Sequence, residues 1–345
     1  MERVDLVAIV GSCAPERASH AERAALASGR MLIPARRLAL SPDPIEEALA
    51  LAPWAERPGG ALAEFPAGVR MTELIGALAD ESSPVRLTGV VCVADALHLL
   101  DDLQRDTYAA RRHTEPSGIT GIEYTAHAAL TAAQLEYAST IILANWDSLP
   151  TSELSTVMAL ASSLSPKARL RLDRSGVEAP EPGATYETDQ ERPGWVAILN
   201  EDHDPHMTDP RVAALRYEQL RPFHPGRLLR LLNERVEPGE FGTIIRSAGF
   251  CRLATRPRVI AEWNHVGSMF SLEPLASDDR LLPDDEILAL GQDLAVIGLD
   301  LRRRELVAAL DEAALTDREA AAGPTSWAEF SDPFPAWHTA DEHPR

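Results

Sequence analysis

The sequence predicts an α/β protein with two parts: an N-terminal domain built on a parallel sheet, followed by a smaller α+β domain. Three observations favour this fold class. Short apolar runs alternate with helix-like segments through the first half of the chain, as in a doubly wound sheet. Residues 175–193 are rich in Pro, Glu and Gly without periodicity, which predicts a linker. The 345 residues are enough for two domains of roughly 100–200 residues each.

The first predicted domain covers residues 1–174. Strands are predicted at short apolar runs, and helices where apolar residues recur at helical spacing. The β-branched run Leu87–Ala94 is nearly all apolar, as expected of a central parallel strand, whereas residues 41–70 give no prediction. In chain order the elements are strand Val4–Val10, helix Pro15–Ser28, strand Met31–Ile33, helix Met71–Ala79, strand Leu87–Ala94, a helix capped by Asp95, a polar insert, helix Ala126–Ala138, strand Thr140–Leu143, helix Ser152–Ser163 and strand Arg169–Leu172.

The second predicted domain covers residues 194–337, and residues 338–345 form a tail. Strand-like runs crowd together in this half and helices are fewer, which predicts an α+β arrangement. The predicted strands are Trp195–Leu199, Val212–Gln219, Thr243–Arg246, Arg252–Thr255, Val259–His265 and Leu294–Gly298, and the predicted helices are Pro225–Arg235 and Arg302–Ala314.

Charge and composition exclude several classes of protein. Acidic residues outnumber basic ones by 53 to 33, giving a net charge of −20, so bulk binding to nucleic-acid phosphates is not expected. No apolar run approaches the ~20 residues that cross a bilayer. Three widely spaced cysteines predict neither a disulfide framework nor a Cys-x-x-Cys zinc site, so we expect a cytoplasmic protein. Lys167 is the one lysine, which leaves no lysine for a phosphate-binding loop.

Several segments carry a resemblance to one family. RPFHPGRLLRLL, TIIRSAGFCRLATRP, LAVIGLDLRRRELVAALDEAALTDRE and WAEFSDPFPAW, within residues 193–337, resemble the CobW C-terminal domain. In the first half, VCVADALHLL resembles the Val-Asp-Ala strand end of the partner GTPase domain, and AAQLEYASTIILANWDSLP resembles the approach to its guanine-reading Asn-Lys-x-Asp loop. The resemblance implies a P-loop GTPase-like domain joined to a CobW C-terminal domain. It also implies zinc or cobalt handling by a nucleotide-driven metal chaperone.

The nucleotide motifs of that family are incomplete here. A P-loop reads G-x-x-x-x-G-K-S/T, because its backbone amides wrap phosphates and its lysine neutralises them. The loop GSCAPERAS puts Glu16 at the second glycine and Arg17 at the lysine, and ANWD replaces Asn-Lys-x-Asp. We therefore predict a pseudo-GTPase that has no catalytic residue and does not use GTP. A GTP-binding metallochaperone with an atypical P-loop is a further alternative. The vestigial nucleotide site would comprise Gly11, Ser12, Arg17 and Asp147.

A metal site is predicted where the family often carries a histidine-rich run. The segment NEDHDPH places two histidines three residues apart among carboxylates, and imidazoles suit Zn²⁺. The candidate ligands are Asp202, His203, His206 and His224. The alternative is a solvated acidic loop, with His224 capping or packing at a helix start. The family's Cys-x-Cys-Cys motif is missing from residues 60–75, and Cys13, near His20, is the one thiol with plausible access.

Two functions follow from these features. One is a CobW-like zinc-homeostasis protein that binds metal or a protein client without hydrolysing nucleotide. The other is a non-enzymatic adaptor, since one CobW-like branch recruits a hibernation factor to ribosomes under zinc limitation and the segment DPFPAWH resembles the tail of that branch. The partner would be a protein client or a ribosome-associated factor. The predicted contact residues are Arg227, Arg230, Arg302, Arg303, Arg304 and Trp337.

Overall fold

The computed structural model describes residues 3–55, 59–114, 120–174, 185–188, 192–277 and 291–337. Most of the predicted linker and all of the predicted tail lie outside these residues. The chain divides into two compact units. The N-terminal unit is Met1–Gly194 with Asp204–Asp209, and the C-terminal unit is Trp195–His203 with Pro210–Arg345. No helix of the described residues is both long and apolar enough to cross a membrane.

The N-terminal unit alternates strands and helices, as the sequence predicts. Its strand Val4–Val10 and helix Met71–Ala79 match the predicted bounds. The elements are β1 Val4–Val10, α1 Ala14–Ser28, β2 Met31–Ile33, α2 Ala35–Leu38, α3 Pro44–Leu51, β3 Ala61–Glu64, α4 Met71–Ala79, β4 Val85–Asp95, α5 Leu99–Leu103, β5 Tyr108–Thr114, β6 Thr120–Ala126, α6 His127–Glu136, β7 Thr140–Ala144, α7 Thr151–Leu164 and β8 Arg169–Leu172.

Six strands form one sheet in the order β2-β3-β1-β4-β7-β8, and every pairing is parallel. Apolar side chains of β1 and β4 pack against small residues of α1. Val7 and Val93 are fully buried, and Ala21 and Ala24 of α1 lie in the same cluster. The predicted α/β class with a parallel sheet is confirmed. The region 41–70 that gave no prediction contains helix α3 and strand β3, and the run ALAE of β3 is too short to stand out by pattern.

The predicted polar insert is partly an antiparallel hairpin of β5 and β6. Its apolar side chains face solvent rather than a core: Tyr108 is 53% exposed, Ile122 60% and Tyr124 65%. The other face is half-buried and carries the charged side chains of Arg111 and Glu123. This arrangement reverses the usual pattern, in which apolar side chains mark the buried face of a strand.

The C-terminal unit is built on a five-stranded antiparallel sheet. Its elements are α8 Gly194–Leu199, β9 Val212–Gln219, α9 Pro225–Leu231, β10 Thr243–Cys251, β11 Val259–Val266, β12 Met269–Ser277, β13 Gln292–Leu299, α10 Arg303–Ala313, α11 Asp317–Ala322 and α12 Pro324–Trp327. The sheet order is β12-β11-β10-β13-β9. Phe223 is fully buried between the rings of Tyr217 and Trp263 at the centre of this unit.

Two predicted strands of this half are wrong. Trp195–Leu199 lies in helix α8, because a five-residue apolar run fits a strand and a short buried helix equally well. Arg252–Thr255 is a turn that leaves β10. Leu253 forms only an isolated bridge with Phe223, and the backbone N–H of Arg252 bonds to the side chain of Gln292 at 3.0 Å.

Candidate functional site

The region corresponding to the phosphate loop lies at the carboxyl ends of β1, β4 and β7. In the sheet order, β1 and β4 are neighbours: the connection after β1 leads to β2 on one side of the sheet, and the chain after β4 leads to β7 on the other. Open parallel sheets bind ligands in the crevice at such a switch point. The residues that follow these strand ends are therefore the first candidates for function in this unit.

The connection between β1 and α1 has only three residues, Gly11–Cys13. The first helical hydrogen bond runs from the N–H of Arg17 to the carbonyl of Cys13 at 3.0 Å. A side chain at Gly11 is excluded, because its φ is +148° and a Cβ would lie 2.1 Å from the carbonyl oxygen of Val93. The first turn of α1 therefore occupies the chain positions that form the phosphate-wrapping loop in a P-loop motif.

Arg17, at the position of the P-loop lysine, is buried inside the unit with 4% of its surface exposed. Its Nε donates to Oε1 of Glu64 at 3.1 Å, and its Nη1 donates to the carbonyl oxygen of Gly11. Glu64 is also buried, and its Oε2 accepts the N–H of Ala35 at 3.0 Å. The guanidinium is thus bound to β3 and to the backbone of its own loop.

Three side chains with metal-ligating atoms converge beside this loop. The ligand atoms of Cys13, Glu16 and Asp95 all lie within 4.8 Å of one another. Asp95 ends β4 and is 4% exposed, whereas Cys13 and Glu16 are half-buried. The amide Nδ2 of Asn145, after β7, donates to Oδ2 of Asp95 at 3.0 Å and to Oε1 of Glu16 at 3.3 Å. We name Cys13, Glu16 and Asp95 the loop cluster.

Asp102 supports the loop cluster from α5 and is 3% exposed. Its Oδ2 accepts the Ser12 hydroxyl at 2.9 Å and the Cys13 thiol at 3.5 Å, while Arg105 pairs with Oδ1 at 2.7 Å. Burial, and then the charge of Asp102, raises the pKa of the Cys13 thiol. Ser12 and Cys13 are therefore held by an acidic side chain.

The segment corresponding to the guanine-reading loop follows β7. Asn145 has a left-handed backbone with φ +54° and precedes a single 3-10 turn, Trp146–Ser148. Asp147 is exposed in that turn.

A histidine side chain also borders the loop cluster. The Nε2 of His98 lies 4.0 Å from Oδ2 of Asp95.

The predicted histidine site has a different character. Asp202 and His206 are exposed, and His203 is half-buried. His224 is the N-cap of α9: its Nδ1 accepts the N–H of Arg227 at 3.4 Å, and its ring stacks on Phe330 with centroids 4.5 Å apart. Burial lowers the pKa of this imidazole. Over the described ranges, the loop cluster is the one group of three or more ligating side chains this close together.

His20, which the sequence places near Cys13, is buried with its Nδ1 3.5 Å from Oδ1 of Asp173. Burial lowers the pKa of its imidazole against the opposing effect of Asp173. The imidazole that lies beside the loop cluster is that of His98, 4.0 Å from Asp95.

The predicted partner residues differ in how far their side chains are already engaged. Arg230 and the three arginines Arg302–Arg304 at the start of α10 are exposed. Arg227, by contrast, forms a two-pronged ion pair with Glu319 and donates to the carbonyl of Ala314 at 2.8 Å. Trp337 donates to the carbonyl of Leu272 at 3.0 Å, and Arg256 covers its ring at 4.2 Å. The side chains of Arg227 and Trp337 are therefore engaged in contacts within the C-terminal unit.

Sequence reasoning missed the roles of Glu64, Asp102 and Asn145. Glu64 lies in a strand that gave no prediction, and Asp102 reads as an ordinary polar position of a short helix. One signal in the sequence could have located the site. Asp95 and Asn145 each stand at the end of a buried apolar run, and the carboxyl ends of parallel strands meet at one edge of a sheet.

A doubly wound parallel unit, followed by an antiparallel α+β unit, defines a two-domain protein of the α/β class. Residues 212–314 match the family model described as the cobalamin synthesis protein CobW C-terminal domain. Residues 212–314 are therefore similar to the CobW C-terminal domain, as the resemblance of the C-terminal segments implies.

A curated relative and two solved structures are similar to this chain. The zinc-regulated GTPase metalloprotein activator 1 of Dictyostelium discoideum is 26% identical over 226 residues, which cover 58% of this chain. The chain spans about half, 47%, of that relative's length. The Zn(II)-bound YjiA GTPase from E. coli and a triple mutant of YjiA are each 11% identical over 91% of this chain, with TM-scores of 0.39 and 0.38.

Proposed function

We propose that this CobW-like chain acts in zinc homeostasis as a pseudo-GTPase, binding metal or a protein client without turning over nucleotide. The observation that carries the proposal is the placement of Arg17. A P-loop cation must reach the outer phosphates, but this guanidinium is buried against Glu64 and the Gly11 carbonyl.

The surroundings of the loop fit a nucleoside triphosphate poorly. The three-residue connection Gly11–Cys13 offers few backbone amides, and Pro15 lacks one altogether. The side chains at the strand ends are the carboxylates of Glu16, Asp95 and Asp102, which would repel phosphate. Phosphoryl transfer depends on positioning and charge neutralisation, so these residues supply little of what it needs.

The experiment is a measurement of GTP binding and turnover by the full chain, with Mg²⁺ and separately with Zn²⁺. We expect no saturable binding of a fluorescent GTP analogue and no turnover above the spontaneous rate. Turnover near about 1 s⁻¹, the lower end of ordinary enzymes, would contradict the proposal and favour the GTP-binding metallochaperone. Competition by unlabelled GTP is the control, because a fluorescence signal that it does not displace is not binding at a GTP site.

The client surface is proposed to lie on the C-terminal unit. Arg302–Arg304 are three adjacent exposed cations at the start of α10, and Arg230 is exposed on α9. Arginine is among the residues that most often dominate binding energy at protein interfaces. A chain with net charge −20 that keeps an exposed arginine cluster suits a client with a local acidic surface.

We expect reversing the charge of Arg302–Arg304 to glutamate to lower capture of the main client in cell extracts at least tenfold, about 1.4 kcal/mol. Crosslinking followed by mass spectrometry measures the capture and identifies the client. A metalloprotein would fit the zinc-homeostasis assignment, whereas ribosomal particles would fit the adaptor. Equal capture by a charge-reversed chain and the wild type would show that this surface is not used. The control for net charge is Arg36→Glu/Arg169→Glu/Arg318→Glu, which reverses three other exposed arginines.

A further inference from the structure

The loop cluster brings one thiol and two carboxylates to the place where a P-loop protein holds phosphate. We propose that Cys13, Glu16 and Asp95 bind a divalent cation of the Zn²⁺ class. The inference rests on the proposed function, because a loop that no longer holds phosphate is free to hold a cation. It differs from the predicted histidine site, which shares none of these residues.

The distances suit a metal site after a small adjustment. Zn²⁺ binds sulfur at about 2.3 Å and oxygen at about 2.0–2.2 Å, so tetrahedral ligand atoms lie roughly 3.3–3.8 Å apart. The ligand atoms of the loop cluster lie within 4.8 Å of one another. Cys13 and Glu16 flank the first turn of α1 and are half-buried, so rotation of their side chains can supply the remaining contraction.

The local charge also favours a cation. Over the described part of the chain, no arginine or lysine forms a salt bridge with Glu16 or Asp95. The one arginine of this loop, Arg17, is paired with Glu64 instead. The amide of Asn145 bridges the two carboxylates and holds them side by side without neutralising them. Two adjacent carboxylates repel each other, and a divalent cation between them removes that repulsion.

The identity of the donors points to zinc rather than to magnesium or calcium. Mg²⁺ and Ca²⁺ take oxygen ligands, whereas a thiolate selects softer ions such as Zn²⁺. Cys13 would release its proton to solvent as the Zn–S bond forms. His98, 4.0 Å from Asp95, can complete four ligands, or a water can take that position. With three protein ligands, the fourth coordination position of the zinc ion stays open to water or to another ligand.

The experiment titrates Zn²⁺ and Co²⁺ into the full chain and into Cys13→Ser, Asp95→Asn and Glu22→Gln. We expect Cys13→Ser and Asp95→Asn each to weaken Zn²⁺ binding at least about tenfold. Co²⁺ should give a thiolate charge-transfer band that Cys13→Ser removes. Glu22 is exposed on the same helix, so Glu22→Gln should bind as tightly as wild type. Unchanged affinity in Cys13→Ser, or loss of binding in a His203→Ala/His206→Ala variant, would overturn the proposal.

A second measurement does not depend on variants that must fold. In the wild type, Zn²⁺ should slow alkylation of Cys13 by iodoacetamide at least tenfold, while buried Cys92 and Cys251 serve as unreactive references. Equal alkylation with and without Zn²⁺ would also overturn the proposal. The two proposals fail separately: GTP turnover refutes the pseudo-GTPase, whereas absence of a thiol-dependent metal refutes only the loop cluster.

Discussion

Replacing Glu64 with glutamine is expected to destabilise the N-terminal unit by about 3–5 kcal/mol, because it leaves the buried Arg17 cation without its partner. The side chains of Arg17 and Glu64 are 4% and 6% exposed, so water cannot solvate an unpaired charge here. Glu64 also accepts the N–H of Ala35, and a glutamine cannot offer an acceptor to both donors if its amide nitrogen faces one of them.

Urea unfolding of the full chain measures the loss of stability in Glu64→Gln. Amide hydrogen exchange in β1 and β3 shows whether the N-terminal unit is the part that is destabilised. The double variant Arg17→Met/Glu64→Gln should recover part of the stability, because the unpaired cation is gone. Glu47→Gln is the control: its ion pair with Arg37 is partly exposed, and such pairs contribute about 1 kcal/mol or less. If Glu64→Gln were as mild as Glu47→Gln, Arg17 would not depend on this ion pair.

The C-terminal unit is expected to lose about 3 kcal/mol of stability between neutral pH and about pH 4, because His265 is buried in its neutral form. Burial and then the charge of Arg246 lower the pKa of this imidazole from 6.5 to about 4. The ring faces the Ser247 hydroxyl at 3.3 Å and the edge of Phe270. Below pH 6.5 the His265 imidazole binds a proton in the unfolded chain but stays neutral in the folded unit. The free energy of unfolding therefore falls as the pH drops towards 4.

Chemical denaturation followed by tryptophan fluorescence at about pH 7.5 and pH 4.5 measures this effect, since Trp263 is buried beside His265 in the same sheet. A His265→Gln variant should show a pH dependence smaller by about 2–3 kcal/mol, because the titrating group is absent. His98→Gln, a histidine substitution at a 61% exposed side chain in the N-terminal unit, is the matched control. An unchanged slope in His265→Gln would assign the acid sensitivity to other groups.

The sheet of the N-terminal unit is predictable because its central strands are buried on both faces. Val4–Val10 and Leu87–Ala94 are nearly continuous apolar runs, and parallel sheets produce that pattern. The edge region was harder, since Ala61–Glu64 is four residues long and ends in a charge. Helix α8 shows the same limit: the run WVAIL carries no period that separates helix from strand.

The candidate site was only half predictable. The motif comparison identifies Glu16 and Arg17 as departures, but the direction of the Arg17 side chain depends on Glu64, which is 47 positions away in the chain. The convergence of Cys13 with Asp95 depends on the parallel pairing of β1 with β4, which places the ends of two distant segments together. Pairing of this kind is a tertiary property that residue spacing alone does not encode.

The three-residue connection after β1 makes the change of this loop difficult to reverse. Glu16→Gly, Arg17→Lys and Ala18→Ser would restore the letters of a phosphate-binding motif, but all three positions belong to the start of α1. A wrapped loop would have to unwind that turn, break the Arg17–Glu64 ion pair and leave Glu64 buried without its cation. Each of these substitutions would lower the stability of the folded chain before any nucleotide is bound. The helix start therefore opposes a stepwise return to a phosphate-binding loop. An insertion between Gly11 and Ala14, rather than substitutions, is the shortest route by which a designer could rebuild a nucleotide site here.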